Sequence, residues 1–190
     1  MTVRIIAGHC RGRSLLTPSG PGVRPTPGIV RERLFNWLGG AVSGARVLDL
    51  FAGSGALGLE AWSRNAGEVV FVEKNPQHRA LLLRNLQVCG MAESQLAGKD
   101  ALLYLQQDHR PFDIVFADPP FDQGWPRRLA GALRSTATFP TPRWLYLESS
   151  ATEQWQEADI PTGWQAYRHG HCGETFYTLY CKQQENMDEA

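Results

Sequence analysis

Residues 47–58 read Val-Leu-Asp-Leu-Phe-Ala-Gly-Ser-Gly-Ala-Leu-Gly, an apolar run that ends in a glycine turn and passes into helix-forming residues. The spacing predicts a strand over Arg46 to Phe51, a Gly-x-G-x-x-G turn at Gly53, Gly55 and Gly58, and a helix over Ala56 to Arg64. In such a unit the glycines let the backbone approach a ligand, and the amino end of the helix draws negative charge. Glu73 stands 20 residues beyond Gly53, at the end of a second apolar run from Glu68, where a carboxylate accepts both hydroxyls of a ribose.

Outward from this unit, strand and helix alternate. Asn75-Pro76 caps and opens a helix to about Cys89; Ser94 to Ala97 is a weak strand, Ala101 to Gln107 a short helix, and Phe112 to Ala117 a strong strand. Trp125 to Arg134 reads as a helix and Trp144 to Glu148 as a fifth strand. The alternation predicts an α/β fold of parallel strands joined by right-handed crossovers. Trp164 to His169 and Thr175 to Lys182 are β-rich, with a turn near Gly170 and Gly173, so an antiparallel hairpin is expected at the sheet edge.

Ahead of residue 46 the rhythm differs. Val3 to Ala7 and Arg13 to Leu16 read as short strands, Pro18 to Pro27 as a Gly/Pro-rich stretch, and Thr26 and Pro27 as cap and first residue of a helix ending at Gly39-Gly40. The expected organisation is therefore a basic arm and helix over residues 1–40, a main domain over 41–182, and a polar, frayed tail over 183–190.

The glycine turn with Glu73 suits a nicotinamide dinucleotide as well as any adenosine cofactor. Asp49 tilts the choice, because a pyrophosphate would meet a like charge there. S-adenosylmethionine instead brings an ammonium and a sulfonium, which acidic residues complement. Asp100, after the third strand, is placed either to bond an adenine amino group or simply to cap the following helix.

A second motif, Asp118-Pro119-Pro120-Phe121, directly follows the strand from Phe112 to Ala117, at the carboxyl edge where ligands bind in such sheets. An exocyclic amine on a base is a poor nucleophile, since its lone pair is delocalised into the ring. Two rigid acceptors favour a more tetrahedral nitrogen: the Asp118 carboxylate and the Pro119 carbonyl, stiffened by two fixed φ angles. Phe121 can then stack on a base that has left its helix or loop. Guanine offers a ring N–H and an amino group side by side, a fork of donors for a carboxylate, so Asp118 leans toward guanine while remaining compatible with adenine.

With both motifs in place the chain resembles the class I S-adenosylmethionine-dependent methyltransferases, and more narrowly the RsmD family of bacterial 16S ribosomal RNA guanine methyltransferases. The resemblance runs through Arg24-Pro25-Thr26, Val30-Arg31-Glu32, Leu34-Phe35-Asn36, the block from Val47 to Ala61, Phe71-Val72-Glu73, Asn85-Leu86 and the Asp118 motif. It implies methylation of a guanine 2-amino group in the small ribosomal subunit, with guanine-966 the family's usual target. It also implies a seven-stranded, Rossmann-like sheet of order 3-2-1-4-5-7-6 with a small N-terminal β-rich and helical extension. Carried onto this sequence, the cofactor set is Asp49, Phe51, Gly53, Ser54, Gly55, Glu73, Asn75 and Asp100. The catalytic set is Asp118, Pro119, Pro120 and Phe121, and Arg11, Arg13, Arg24 and Arg31 would contact RNA. Asn75 departs from the family, where an acidic residue is common.

Composition fits this reading. The chain has 190 residues, 43% of them hydrophobic, which is enough for one well-buried core without disulfides or a structural metal. Formal net charge is zero, yet residues 1–46 hold seven arginines against one acid, Glu32, a front end suited to phosphate. Cys10, Cys89, Cys172 and Cys181 form no Cys-x-x-Cys pair, and the first residues lack a secretory signature, so reduced thiols, a cytoplasmic location and no membrane span are expected. His9-Cys10 and His169-x-His171-Cys172 match no zinc spacing, and no metal is expected. The expected partner is 16S rRNA within a small-subunit assembly particle, met by a monomer. Competing readings are an adenine amino methyltransferase acting on DNA, a nucleotide-dependent oxidoreductase using the glycine turn, and a non-catalytic RNA-binding module using the arginines.

Overall fold

Strands without a polar face must be covered on both sides, and the computed structural model shows how this chain covers them. It describes residues 2–18, 26–92, 95–107, 110–134 and 142–182. In chain order the elements are β1 (Thr2–Arg4), β2 (Ser14–Leu16), α1 (Gly28–Leu38), β3 (Arg46–Asp49), α2 (Ala56–Ser63), β4 (Glu68–Val72), α3 (Pro76–Val88) and β5 (Leu96–Ala97). Then follow α4 (Ala101–Leu105), β6 (Ile114–Ala117), α5 (Trp125–Arg134), β7 (Trp144–Ser150), β8 (Trp164–Cys172) and β9 (Thr175–Lys182).

The main sheet runs β5-β4-β3-β6-β7-β9-β8. Counted from β3 as its first strand, this is the expected order 3-2-1-4-5-7-6. The first five strands are parallel, and β9 joins β7 and β8 antiparallel. Side chains alternate between two core layers with the period of the pleat. Val47, Phe71, Ile114 and Phe116 face a layer completed by α1, α2 and α3. Leu48, Val72, Val115 and Ala117 face one completed by α4 and α5. Gly58 makes the first layer possible, because a Cβ there would lie 2.3 Å from the Phe71 ring.

Several local expectations need correction. The first strand stops at Arg4 rather than Ala7, because the Ile6 and Ala7 N–H groups donate to the buried Glu60 carboxylate, at 2.8 and 3.0 Å, instead of continuing a ladder. Thr26 does not cap α1. The helix begins at Gly28 after Pro27 with no side-chain cap, and the Thr26 hydroxyl points elsewhere. Gly170 is no turn: β8 runs through it to Cys172, and the bare Cα leaves room for the Tyr177 ring, which a Cβ would meet at 2.8 Å. The turn lies at Gly173, with φ +59°. Arg24, Ser94 and the tail 183–190 lie outside the described residues. Among the described residues no helix is long and apolar enough to cross a membrane.

Candidate active site

Parallel strands deliver their carboxyl ends to one edge of a sheet. At the ends of β3, β4, β6 and β7 the chain encloses a cavity of about 830 Å³, at the upper end of the range for small-molecule sites. It has two halves, one built on the glycine turn and one on the Asp118 motif.

In the first half, Asp49 closes β3 and is buried, accepting the Gly58 N–H at 2.9 Å. Burial pushes its carboxyl up to about 7 against the pull of that bond, with the charges of Asp118 and Glu73 adding to the rise. A buried acid of this kind favours a cation beside it. Glu73 is held by two backbone donors, Gly53 N–H at 3.0 Å and Asn75 N–H at 2.7 Å. Asn75 itself caps α3 through Oδ1, which accepts from Gln77 and His78. Gly55 adopts φ +78°, and a Cβ there would lie 2.5 Å from Leu82, so it shapes the turn from behind.

Asp49, Phe51, Gly53, Ser54, Glu73, Asn75 and Asp100 all line the cavity, whereas Gly55 does not. Asp100 also caps α4, accepting the Leu102 N–H at 2.9 Å, and lies 3.6 Å from the Lys74 ammonium. Both readings of Asp100 are thus compatible with its placement. The arrangement fits an adenosyl group at Glu73 and a cationic end at Asp49.

In the second half, Asp118, Pro119, Pro120 and Phe121 line the same cavity. The loop after them is pinned by Asp122, which accepts from Thr152 Oγ1 at 2.7 Å and Ser150 Oγ at 3.2 Å. Trp125 is buried against Phe51, ring centroids 4.7 Å apart, and joins the wall. Three residues that sequence reasoning passed over complete this half. The Thr26 hydroxyl donates to Asp118 Oδ2 at 3.0 Å. Glu148, at 2% exposure, lines the cavity beside Asp118 and accepts from Tyr146 Oη at 2.7 Å. One signal was available: Glu148 follows the apolar run 144–147 within β7, which continues past it to Ser150 and lies parallel to β6, and the register Ala117↔Leu147 sets Asp118 beside it.

The arginines divide. Arg31, expected to reach RNA phosphate, is 2% exposed; its guanidinium donates to the Arg4 carbonyl at 3.0 Å and lies 3.5 Å from Glu60. Its charge is used inside the molecule, and it is not available to RNA. Arg11 and Arg13 are exposed, with Arg13 bonded to the Val88 carbonyl at the end of α3, and neither lines the cavity.

The family described as Conserved hypothetical protein 95 matches residues 3–181. Ribosomal RNA small subunit methyltransferase D of Escherichia coli is 36% identical over 99% of this chain and 94% of that protein. The solved structure of yhhF from Escherichia coli superposes with a TM-score of 0.83 at 34% identity, covering 96% of this chain and 99% of that one. An RNA methyltransferase from Salinibacter ruber, solved with S-adenosyl-L-homocysteine, shares the fold at 15% identity and a TM-score of 0.60, covering 87% and 98%.

Proposed function

This chain belongs to the RsmD family of ribosomal RNA methyltransferases, and from that premise we propose that it methylates the exocyclic 2-amino group of a guanine in 16S rRNA. The observation that carries the proposal is the meeting, in one cavity, of the glycine turn with Asp49 and Glu73 and the Asp118-Pro119-Pro120-Phe121 turn. S-adenosylmethionine is the methyl donor. When bound, it supplies an electrophilic methyl whose bond to sulfur breaks as the bond to nitrogen forms, leaving a methylated aminium that loses a proton.

The chain's residues divide the work of binding and orientation. Glu73 takes the ribose hydroxyls, Asp49 the methionyl ammonium, and the amino end of α2 behind the glycine turn the carboxylate end. Asp118 and the Pro119 carbonyl accept hydrogen bonds from the target amine, turning its lone pair out of the ring plane, while Phe121 stacks on the base. Acceleration comes from orientation and from dipoles fixed before the base arrives. Guanine is favoured because an aspartate accepts its two adjacent donors as a fork; adenine, the second reading, offers a donor beside an acceptor. Guanine-966 is the proposed target. Residues 1–40 are proposed as the RNA-facing extension of a 41–182 catalytic domain, acting as a monomer on an assembly particle.

The test is transfer from labelled S-adenosylmethionine to under-methylated small subunits, with nucleoside analysis and Asp118→Ala as control. Labelled 2-methylguanosine, absent with the variant, is expected. Methylated adenosine would keep the chemistry and overturn the choice of base; no label would overturn the proposal.

A further inference from the structure

Beside Asp118, the one acid assigned above to the target amine, stands a second acidic side chain, Glu148, that the proposed chemistry leaves unused. Asp118 follows β6 and Glu148 lies in β7, adjacent in parallel register one residue past the Ala117↔Leu147 pair. Parallel neighbours in register project to the same face of the sheet, so the two carboxyl groups stand side by side in the wall of one cavity. Two neighbouring carboxyls withdrawn from water, with no lysine or arginine paired to either among the described residues, do not both ionise, so one proton is kept by the pair.

We propose that Glu148 is a positioning residue for the transfer: it retains its proton and donates it to Asp118, presenting the base with one oriented carboxylate in place of two repelling ones. The inference rests on the reading of Asp118 as the group that holds the target amine. The surroundings place the proton on Glu148. Glu148 is 2% exposed, whereas Asp118 is half-buried and faces the cavity. Asp118 already accepts the Thr26 hydroxyl, a bond that favours its charged form.

The hydrogen bond from Tyr146 favours a charged Glu148 as that from Thr26 favours a charged Asp118, so the deeper burial of Glu148 and the charge of Asp118 decide where the proton stays. Tyr146 on β7 donates to Glu148, Tyr177 on β9 lies behind Tyr146 with ring centroids 6.3 Å apart, and Asp49 at the end of β3 adds only negative charge. Arg33 of α1 is engaged with the Tyr177 hydroxyl at 3.0 Å. Among the described residues no lysine or arginine forms an ion pair with either acid. Burial raises both carboxyls, and the charge of Asp118 raises Glu148 further, well above the usual carboxylate range.

Infrared spectroscopy of the free protein gives a test that needs no substrate. A protonated-carboxyl band at about pH 8 is expected in the wild type and absent from Glu148→Gln; no such band in the wild type would overturn the proposal. Kinetics supply the second arm. Glu148→Ala removes the donor, so kcat falls at least about tenfold and its acid limb moves up by about one pH unit, with S-adenosylhomocysteine affinity unchanged. Glu148→Gln, whose amide donates to Asp118 and whose carbonyl accepts from Tyr146, restores kcat and the acid limb. A Gln variant as impaired as the Ala variant would show that Glu148 works ionised and sink the idea. Turnover persisting in Asp118→Ala would instead fail the parent reading while leaving the infrared result standing.

Discussion

At Asp49, burial and a cationic ligand pull in opposite directions. Its carboxyl is pushed up to about 7 by desolvation. A raised folded-state pKa means that folding favours the protonated form, a contribution present at low pH and lost as pH rises through about 7. Binding an ammonium reverses the preference, since only the carboxylate attracts it. Affinity for S-adenosylhomocysteine, which keeps the ammonium, should therefore be flat above about pH 7 and weaken by up to about tenfold per unit below it. Calorimetric titration checks this, and a dissociation constant unchanged between about pH 5 and 8 would remove Asp49 from the ligand. Glu73→Ala should weaken the same binding by about 1–3 kcal/mol, a loss of charge-assisted hydrogen bonds, while Asp118→Ala should leave it intact and abolish turnover. These three acids were legible because each is fixed by distance along the chain from a glycine or proline motif. Thr26, Tyr146 and Glu148 were not, because their partnership depends on which strands lie side by side. The Thr26 hydroxyl reaches a residue 92 positions away, and local grammar offered it the nearer task of capping a helix.

Among the elements, α2 ties the arm to the sheet. Its Glu60, fully buried, accepts the Ile6 and Ala7 N–H groups and pairs with Arg31 and Arg64. Glu60→Leu would strand a buried guanidinium and two backbone donors, so a loss of about 3–5 kcal/mol is expected in urea unfolding. Arg64→Ala, at a more exposed member of the cluster that also lies over the Phe35 ring, should cost only about 1 kcal/mol. Equal costs would mean that Glu60 does not organise the arm. The strands and helices themselves were readable from period and punctuation, down to Asn75 and Pro76 at the start of α3. What the pattern hid was the use of charge inside an element. Arg31 lies on α1 among residues whose spacing says only which face is apolar, and its acidic partner is 29 positions away on α2.

For the whole molecule, that hidden pairing changes how RNA is held. Of the front-end arginines, Arg31 is buried and Arg46 is bonded to Glu68 at 2.9 Å, so the seven charges counted along the sequence overstate the basic surface. Arg11 and Arg13 remain exposed on the β1–β2 arm. Asn85 of α3 couples that arm to the cofactor turn: it exchanges hydrogen bonds with Leu16, at 2.9 and 2.8 Å, and donates to the Ser54 carbonyl at 2.8 Å. Removing both arginines should weaken RNA binding uniformly and lower the salt dependence of log K by about one to two units, with S-adenosylhomocysteine affinity unchanged. The exposed arginines described in the front end, Arg4, Arg11, Arg13 and Arg33, and one cavity supply little of the surface that specific nucleic-acid complexes bury, about 1,000 Å² or more. A substrate whose target base is already displayed would supply the missing orientation, which points to a folded assembly particle over free RNA. Turnover compared at matched salt on under-methylated small subunits and on a short hairpin carrying the target guanine should favour the subunits by at least about a hundredfold in kcat/KM, equivalent to about 2.7 kcal/mol of pre-arranged geometry. Equal turnover on the two would place recognition in the local RNA and in this chain alone.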